Sequence, residues 1–537
     1  MTISRARRHH LLFAVPLIYG LVAAAYFVLR PGGHWAENDT FLVAEGIAGV
    51  VRAQRLLPPD GTAYPNGYAY QAVAAFILGF TGLEVSTFQQ LLSPFLIACV
   101  MLPVAWIAYR ELTGGAAGAT LASLLLLLQP ELLFVTLRGS HEKITRTLML
   151  LALLMLVRSL RLSQQPRQFA IHVVLFYAAA YGVVASNNMF GTSFIAVIAM
   201  ALLGNWTLSR GWPRRLRPLA PRLTRRLLYN TVVLLGIAFV FTFYAYPPAT
   251  NQLDVYQEIW KRVTVLLLNV GQEEPVGDPY SLVVAGWISL PVYFLVSVSN
   301  WLLMAISLIF WLRDGWTWFV RRVAPPPSAW LLWLLYAAIT VQGVLAVVVD
   351  FSGAVASNFQ HRAFASFALI AAAVVARGAV PLLSTRLGRT ALARGSLAAV
   401  VGCLAVLSVL KASNEPLLSN KWTFYEPQEI QALQWASAHM RRATIATEFD
   451  ERLNTAYMVE VGVSVPPGLR PVGAVGGPWL GYYRRELGGR DYLVTDITRW
   501  RAQRLGASLP PVAGQIATYD NGMAQIYHLV PLTPYQR

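Results

Sequence analysis

The chain has 537 residues, of which 56% are hydrophobic and only 13% are charged, and its mean hydropathy is +0.50. One soluble core does not need that much apolar surface, so the composition indicates an integral membrane protein. The formal charge of +17 does not indicate nucleic-acid binding, because the basic residues cluster in short loops between apolar runs. Both cysteines, Cys99 and Cys403, lie inside apolar runs, so neither a disulfide framework nor a cysteine-ligated metal is expected.

Apolar runs of membrane-spanning length predict about eleven transmembrane helices. The first follows a basic N-terminus and lacks a convincing cleavage site, so we interpret it as a retained anchor. An apolar stretch at 281–293 is predicted to be interfacial or re-entrant, because a full crossing there would break the alternation of loop charges. The predicted spans are 11–29, 91–109, 115–134, 144–158, 169–186, 191–206, 228–246, 294–312, 329–349, 363–381 and 396–410.

Arginines in alternate loops set the predicted orientation. With a cytoplasmic N-terminus, every arginine-rich loop falls on the inner side, as the positive-inside rule requires. The chain is therefore predicted to be a multi-pass protein of the plasma membrane. These arginines are Arg110, Arg158, Arg161, Arg167, the cluster from Arg210 to Arg226, Arg313, Arg321, Arg322, Arg386, Arg389 and Arg394.

The chain changes character after residue 411. QEIQALQWASAHMRR is typical of an amphipathic helix, and ATIAT, DYLVTD and AQIYHLV predict short strands, the last entered through a YDNG hairpin turn. We therefore predict two domains: a helical membrane domain over 1–411 and a small extracytoplasmic α/β domain over 412–537.

The first loop places Glu37 and Asp39 at the outer end of the first span, in HWAENDTF. A carboxylate at the membrane interface is partly desolvated, which raises its basicity or suits it to metal coordination. The alternative is a helix cap, since Asn38, Asp39 and Thr40 precede a helix-like segment. The residues of this loop leave both interpretations open.

The second loop, LRGSHEKITR, places Arg138, His141, Glu142, Lys143 and Arg146 between two apolar spans. Ionisable residues in such a place are expensive and usually functional. His141 and Glu142 can supply a base or a ligand, and Lys143 a phosphate-binding cation. The alternative is that Lys143 and Arg146 only snorkel to the interface. Positive charge at a helix start opposes the macrodipole and the positive-inside bias, which favours the functional interpretation.

A third cluster, His361 and Arg362 in NFQHRAF, opens the tenth predicted span on the same face. The planar fork of an arginine pairs with two phosphate oxygens, so both residues are candidate ligands of a lipid-linked phosphate. A lipid-headgroup anchor is the alternative. Three polar clusters on one face predict a single site for group transfer from an anionic lipid carrier.

The order of these features resembles the N-terminal half of the oligosaccharyltransferase catalytic subunits. These belong to the C-type (GT-C) superfamily of glycosyltransferases, which use polyprenyl-phosphate sugars. The resemblance covers roughly 10–160 and rests on the acidic first loop, YPNGY, the run from LLSPFLIACV to LLLLLQPELL, and LRGSHEKITR, with a weaker echo at HRAF. It implies transfer of a sugar or glycan from a polyprenyl-phosphate or polyprenyl-pyrophosphate carrier to a protein, glycan or lipid acceptor outside the membrane.

The resemblance also implies roles for single residues. In that family a first-loop aspartate binds the metal or activates the acceptor, and this role falls on Asp39, with Glu37 beside it. The acidic residues of the family's second loop correspond in position to His141 and Glu142. The family's arginine that contacts the carrier phosphate corresponds to Arg362.

The sequence departs from the family in two places. HEK replaces a pair of acidic residues, which favours charge stabilisation by Lys143 and Arg138 over a metal. Metal dependence is left open, with Asp39 and Glu142 as the ligands if a divalent cation, Mg²⁺ or Mn²⁺, is required. The family's WWDYG motif is absent, so transfer to an asparagine sequon is not implied.

These assignments predict an inverting transfer with Asp39 as general base, and with Arg138, Lys143 and Arg362 stabilising the leaving phosphate. The segment GGPWLGYYRRELGG is a candidate acceptor contact, because aromatic rings stack on sugars, although an ordinary glycine-rich surface loop is the alternative. Its aromatic residues are Trp479, Tyr482 and Tyr483.

Two other functions compete with the enzyme. A transporter or flippase of lipid-linked glycans predicts ionisable residues near the bilayer midplane and often inverted repeats, whereas these charges lie at span ends and no repeat is visible. A non-catalytic scaffold gives no reason for the charges of RGSHEK. The sequence therefore favours the glycosyltransferase.

Overall fold

The computed structural model describes residues 5–30, 38–57, 64, 66–211, 217–268, 286–352, 359–383, 385, 390–415, 417–419, 425–440, 445–446, 491–504, 506, 508–509 and 512–528. Four predicted site residues, Glu37, Trp479, Tyr482 and Tyr483, lie outside this set. For Asp39 the backbone is described but the side chain is not.

The described chain is mostly helical. In its first half the helices are α1 (Arg5–Leu29), α2 (Asn38–Ala53), α3 (Ala69–Thr81), α4 (Val85–Phe95), α5 (Ile97–Thr113), α6 (Ala116–Leu127), α7 (Pro130–Leu137), α8 (Glu142–Arg161), α9 (Pro166–Ser186), α10 (Asn188–Gly211), α11 (Pro221–Ala245) and α12 (Asn251–Leu268). In its second half they are α13 (Leu290–Val296), α14 (Val298–Phe319), α15 (Pro327–Phe351), α16 (Phe359–Leu383) and α17 (Ala391–Ala412). Proline opens α7, α9, α11 and α15, where its missing N–H has no helical partner.

Seven of the described helices are long and apolar enough to cross a membrane, and up to ten spans result if each bent pair counts as one. The bent pairs are α4 with α5, α6 with α7, and α13 with α14, at 46°, 77° and 57°. The predicted span at 144–158 falls on α8, which is not among those ten. Eleven spans therefore stay a prediction. Of the stretch predicted to be interfacial, only the part from residue 286 is described, and it leads into α13.

Ion pairs join helix ends at both ends of the bundle. At one end of the bundle, Arg30 after α1 binds Glu415 after α17, with 3.0 Å between Nε and Oε1. At the other end, Glu111 of α5 binds Arg161 of α8 at 2.8 Å. The second end carries arginines that the sequence predicts to be cytoplasmic, although the orientation itself stays a prediction.

Helix α16 is the centre of the bundle. In the most apolar stretch of α16, 72% of the residues are buried inside the protein, against 17% in that of α17. Small residues allow neighbouring helices to approach α16 closely, and a Cβ at Gly378 would lie only 2.4 Å from the ring of Phe310 on α14.

The C-terminal segment forms a small α/β unit. Helix α18 (Pro427–His439) is followed by β1 (Ile445–Ala446), β2 (Asp491–Thr495), α19 (Asp496–Arg504), β3 (Ile516–Asp520) and β4 (Ala524–His528). The sheet order is β1-β2-β4-β3, with β1 and β2 parallel and the other pairs antiparallel. The predicted helix, three strands and hairpin turn are confirmed, whereas α19 and β3 were not predicted. The domain boundary at 411/412 stays a prediction.

The substitution Gly191→Ala tests the close contact between α9 and α10. An added Cβ would lie 2.5 Å from the backbone oxygen of Val183, which cannot move without distorting α9. We expect a loss of about 1–3 kcal/mol in stability, measured as a lower apparent Tm of the purified protein. Gly343→Ala on α15 is the control, since nothing lies within 4 Å of its added Cβ and the helix gains about 0.5–1 kcal/mol. Equal Tm values for the two variants would contradict the contact.

Candidate functional site

The start of α2 touches the turn that precedes α8. The Gly139 N–H donates to the Thr40 hydroxyl at 3.1 Å. A Cβ at position 139 would lie 2.4 Å from Thr40 Cγ2, so only glycine fits this contact. Because Thr40 directly follows Asp39, the structure brings the backbone of the first-loop carboxylate next to the second-loop turn.

Two consecutive buried hydrogen bonds hold the same turn from the other side. The Gln89 side-chain amide donates to the Gly139 carbonyl at 2.9 Å, and the Tyr70 hydroxyl donates to Gln89 Oε1. Both Tyr70 and Gln89 are about 1% exposed. Sequence reasoning missed both residues, although a glutamine pair within an apolar run was a usable signal.

The buried side chain of Lys143 bonds to the backbone of the same turn. Its ammonium donates to Ser93 Oγ at 2.7 Å, to the Arg138 carbonyl at 2.6 Å and to the Ser140 carbonyl at 3.2 Å. The side chain is almost completely buried, and a buried ammonium must satisfy its donors. The structure therefore uses the charge of Lys143, predicted to bind phosphate, to hold the 138–140 backbone.

Glu142 and Arg146 form an ion pair on the first turn of α8. Oε2 of Glu142 lies 2.8 Å from Nη2 of Arg146, and the side chains are 7% and 1% exposed. Arg146 also donates to the hydroxyl of Ser366 on α16. The pair thus joins α8 to the central helix.

Asn187, in the break between α9 and α10, links His141 to Glu142. Its side-chain amide nitrogen lies 2.9 Å from His141 Nε2 and donates to Glu142 Oε1 at 3.3 Å. The ring of Tyr64, from the YPNGY turn, packs 5.2 Å from the His141 ring. Tyr64 of the YPNGY segment therefore lies beside this polar cluster.

Positive charge dominates around Glu142. Arg138 and Arg362 lie within electrostatic range of its carboxylate, in addition to the bonded Arg146. Arg362 is exposed, and Arg138 is half-buried over the ring of Phe134. Among the described side chains, this one carboxylate lies near three arginines, and that excess of positive charge suits an anionic group.

The first turn of α16 is held by Asp350. This completely buried carboxylate accepts the backbone N–H groups of Phe359 and Gln360, each at 2.8 Å. Such a cap satisfies donors that a helix start leaves unpaired. Asp350 thereby sets the positions of His361 and Arg362, a role that sequence reasoning did not find.

His361 faces a different group from Arg362. Its Nδ1 lies 3.6 Å from Oε1 of Glu131, which also binds the ammonium of Lys411. The structure thus brings Arg138, His141, Glu142, Lys143 and Arg362 together next to the start of α2. It places His361 in a second, half-buried network formed with Glu131 of α7 and Lys411 of α17.

The described residues do not fit a divalent cation. No group of three or more His, Cys, Asp or Glu side chains among them is arranged to hold a metal ion. Glu142 is bonded to Arg146 and lies among further arginines, which would repel a cation. The side chains of Glu37 and Asp39 lie outside the described set.

The substitution Arg146→Met tests the buried ion pair. It leaves the Glu142 carboxylate without its main partner, which costs about 3–5 kcal/mol when the pair is buried. Arg161→Met is the matched control, because that arginine is 72% exposed and such pairs contribute about 0–1 kcal/mol. Apparent Tm values should fall clearly for the first variant and little for the second. A similar fall for both would show that the buried pair has no special role.

The sequence matches no family model and no curated protein. Solved structures do match. The oligosaccharyltransferase AglB from Archaeoglobus fulgidus, in complex with an inhibitory peptide and a dolichol-phosphate, aligns with a TM-score of 0.55 at 12% identity over 86% of this chain and 64% of that one. ArnT from Cupriavidus metallidurans, bound to undecaprenyl phosphate, aligns with a TM-score of 0.51 at 15% identity over 97% of this chain and 98% of that one.

An Archaeoglobus fulgidus oligosaccharyltransferase in the apo form also aligns, with a TM-score of 0.52 at 14% identity over 84% of this chain. This chain spans only 63% of that protein. At such identities the matches establish the fold, which is the fold of GT-C glycosyltransferases. The resemblance noted in the sequence is therefore confirmed at the level of the fold.

Proposed function

We propose that this protein is a membrane glycosyltransferase that moves a sugar or glycan from a polyprenyl-phosphate or polyprenyl-pyrophosphate carrier to an acceptor. One observation carries the proposal: the start of α2, the 138–142 turn and the start of α16 meet at one end of the bundle, where the described side chains carry an excess of positive charge. The shared fold supports it, since AglB was solved with a dolichol-phosphate and ArnT with undecaprenyl phosphate.

In the proposed reaction, Asp39 accepts the proton of an acceptor hydroxyl. The hydroxyl oxygen attacks the anomeric carbon from the face opposite the phosphate. The bond from that carbon to the phosphate oxygen breaks, its electron pair leaves with the carrier phosphate, and the anomeric configuration inverts. Arg138 and Arg362 stabilise the negative charge that develops on the phosphate.

The other predicted residues act through their neighbours in this proposal. Lys143 holds the turn that carries Arg138, through its bond to the Arg138 carbonyl. Glu142 and His141 are positioning residues, tied together by Asn187. His361 fixes the start of α16 against Glu131. No step is assigned to a metal ion.

We further propose that the site faces the extracytoplasmic side of the plasma membrane, where the C-terminal domain also lies. The arginine-rich helix ends at the opposite end of the bundle support this orientation. The acceptor would be a protein, a glycan or a lipid. The loop with Trp479, Tyr482 and Tyr483 is the proposed acceptor contact.

The function is tested by incubating the purified protein with polyprenyl phosphates that carry radiolabelled sugars and measuring release of the carrier phosphate. Asp39→Asn should lower kcat by at least about a hundredfold, since the amide cannot accept the proton. Glu45→Gln, another carboxylate on α2, is the control and should turn over normally. Normal turnover by Asp39→Asn would overturn the assignment. Transport of intact carrier lipid without release would favour the flippase.

Arg362 is tested with a pair of substitutions. Arg362→Ala removes a charged contact to the phosphate and should lower kcat/KM by about 10- to 100-fold. Arg362→Lys keeps the charge but loses the forked guanidinium group, so its kcat/KM should lie between that of Arg362→Ala and that of the unmodified protein. Arg394→Ala, at the far end of the bundle, should behave like the unmodified protein. Unchanged kcat/KM in Arg362→Ala would remove this residue from the phosphate site.

A further inference from the structure

Helix α12 lies on the surface of the bundle and not inside it. It begins at Asn251, after the end of α11 at Ala245 and a single turn at Pro247–Thr250. Within the bundle it contacts α15. None of its described side chains, from residue 253 to residue 268, is buried. The helix is therefore open to whatever surrounds the protein at this point.

One stripe of α12 is apolar over the whole length of the helix. Residues that recur at intervals of three and four lie on the same face of a helix. In this stripe, Trp260 is 75% exposed and Leu267 is 70% exposed. The residues of the α12 stripe are Leu253, Tyr256, Trp260, Val263 and Leu267.

The opposite face of α12 is polar in the first half of the helix. Two of its residues, Glu258 and Arg262, form an exposed ion pair across one turn. The polar face consists of Asp254, Gln257, Glu258, Lys261 and Arg262. A helix with one apolar and one charged face fits a boundary between water and an apolar medium.

The surface of α11 indicates that this medium is lipid. Helix α11 is one of the seven described helices that are long and apolar enough to cross a membrane. One of its sides is apolar and exposed, and a bilayer covers such a side when the helix spans it. That side consists of Val233, Ile237, Val240 and Tyr244. Because only a short turn separates α11 from α12, α12 begins where this lipid-facing side ends.

The turn between α11 and α12 lies at the candidate-site end of the bundle. The Tyr246 hydroxyl donates to the Tyr64 carbonyl at 2.7 Å. The Tyr64 ring packs on His141, a member of the candidate site. The lipid next to α12 is therefore that of the leaflet beside the candidate site.

The second half of α12 favours a bilayer over a partner protein. After Arg262 the helix is uncharged up to Leu268, in VTVLLL. Leu268 is 66% exposed and lies to one side of the α12 stripe, so a protein that covered only the stripe would leave it in water. A bilayer can take up the whole end of the helix. Trp260 and its neighbour Lys261 are residue types that favour the membrane–water interface.

We propose that α12 is an interfacial helix that binds the surface of the bilayer. The α12 stripe lies in the acyl region, the charged face points to water, and the C-terminal end of the helix lies deepest. This binding holds Tyr246, and with it the Tyr64 segment, at the lipid surface. The inference concerns how the protein sits in its membrane and does not depend on glycosyl transfer.

Spin labels on the full-length protein test the proposal. Cys99→Ala and Cys403→Ala first remove the native thiols, and single cysteines are then labelled with a nitroxide. The protein is reconstituted in vesicles of equal parts phosphatidylcholine and phosphatidylglycerol. Collisions are measured with oxygen, which concentrates in lipid, and with a water-soluble nickel chelate. The oxygen-to-nickel ratio should be several-fold higher at Trp260→Cys and Leu267→Cys than at Gln257→Cys.

Two further positions calibrate the ratio. Ile237→Cys on α11 is the reference for lipid, and Gln431→Cys, exposed on α18, is the reference for water. A water-like ratio at Trp260→Cys and Leu267→Cys would overturn the proposal. Few collisions with either reagent at Trp260→Cys would also overturn it, because a protein would then cover the stripe. Spectral broadening between labels would identify that protein as a second copy of this chain.

A matched pair of charge substitutions tests the α12 stripe directly, with the label kept at Leu267→Cys. Trp260→Glu places a carboxylate in the acyl region, which should lift the helix and lower the ratio several-fold. Gln257→Glu adds the same charge to the polar face and should leave the ratio unchanged. Equal ratios in the two variants would contradict binding through the stripe. Neither measurement involves release of carrier phosphate, so its outcome is independent of the proposed function.

Discussion

The buried ion pair between Glu142 and Arg146 is the interaction on which the rest of the candidate site depends. The two charges lie on the first turn of a helix that otherwise packs in an apolar core, and their burial is tolerated because they neutralise each other. Arg146 extends the contact to Ser366 in the central helix, and Asn187 extends it to the break between α9 and α10. Three helix ends are thereby held at one place in the bundle.

Around this pair, polar groups that would be costly to bury are satisfied by one another, and this is why distant loops converge. Gly139 bonds Thr40 and Gln89, Lys143 bonds the carbonyls of the same turn, and Asp350 caps α16. The consequence for function is a rigid frame. In the proposed function, Arg138 of the turn and Arg362 of α16 lie beside this frame and hold the anionic headgroup.

The parts of the site that could be predicted are those where charge stands out against an apolar background. RGSHEK and HRAF were recognisable because ionisable residues between spans rarely serve packing alone. Single polar residues inside apolar runs carry no such signal, so Glu131 and Asp350 were missed. Lys143 was recognised as important, but its task depends on which oxygens surround it, and spacing along the chain does not reveal them.

By itself, the sequence determined that this is a helical membrane protein with a small α/β unit in its C-terminal segment, roughly where most of the long apolar helices lie, and which segments carry charge. These properties follow from local periodicity, composition and loop arginines. Only the tertiary structure decided which helix is central and that His361 and Arg362 contact different groups. Such facts depend on contacts between residues hundreds of positions apart, which no local pattern records.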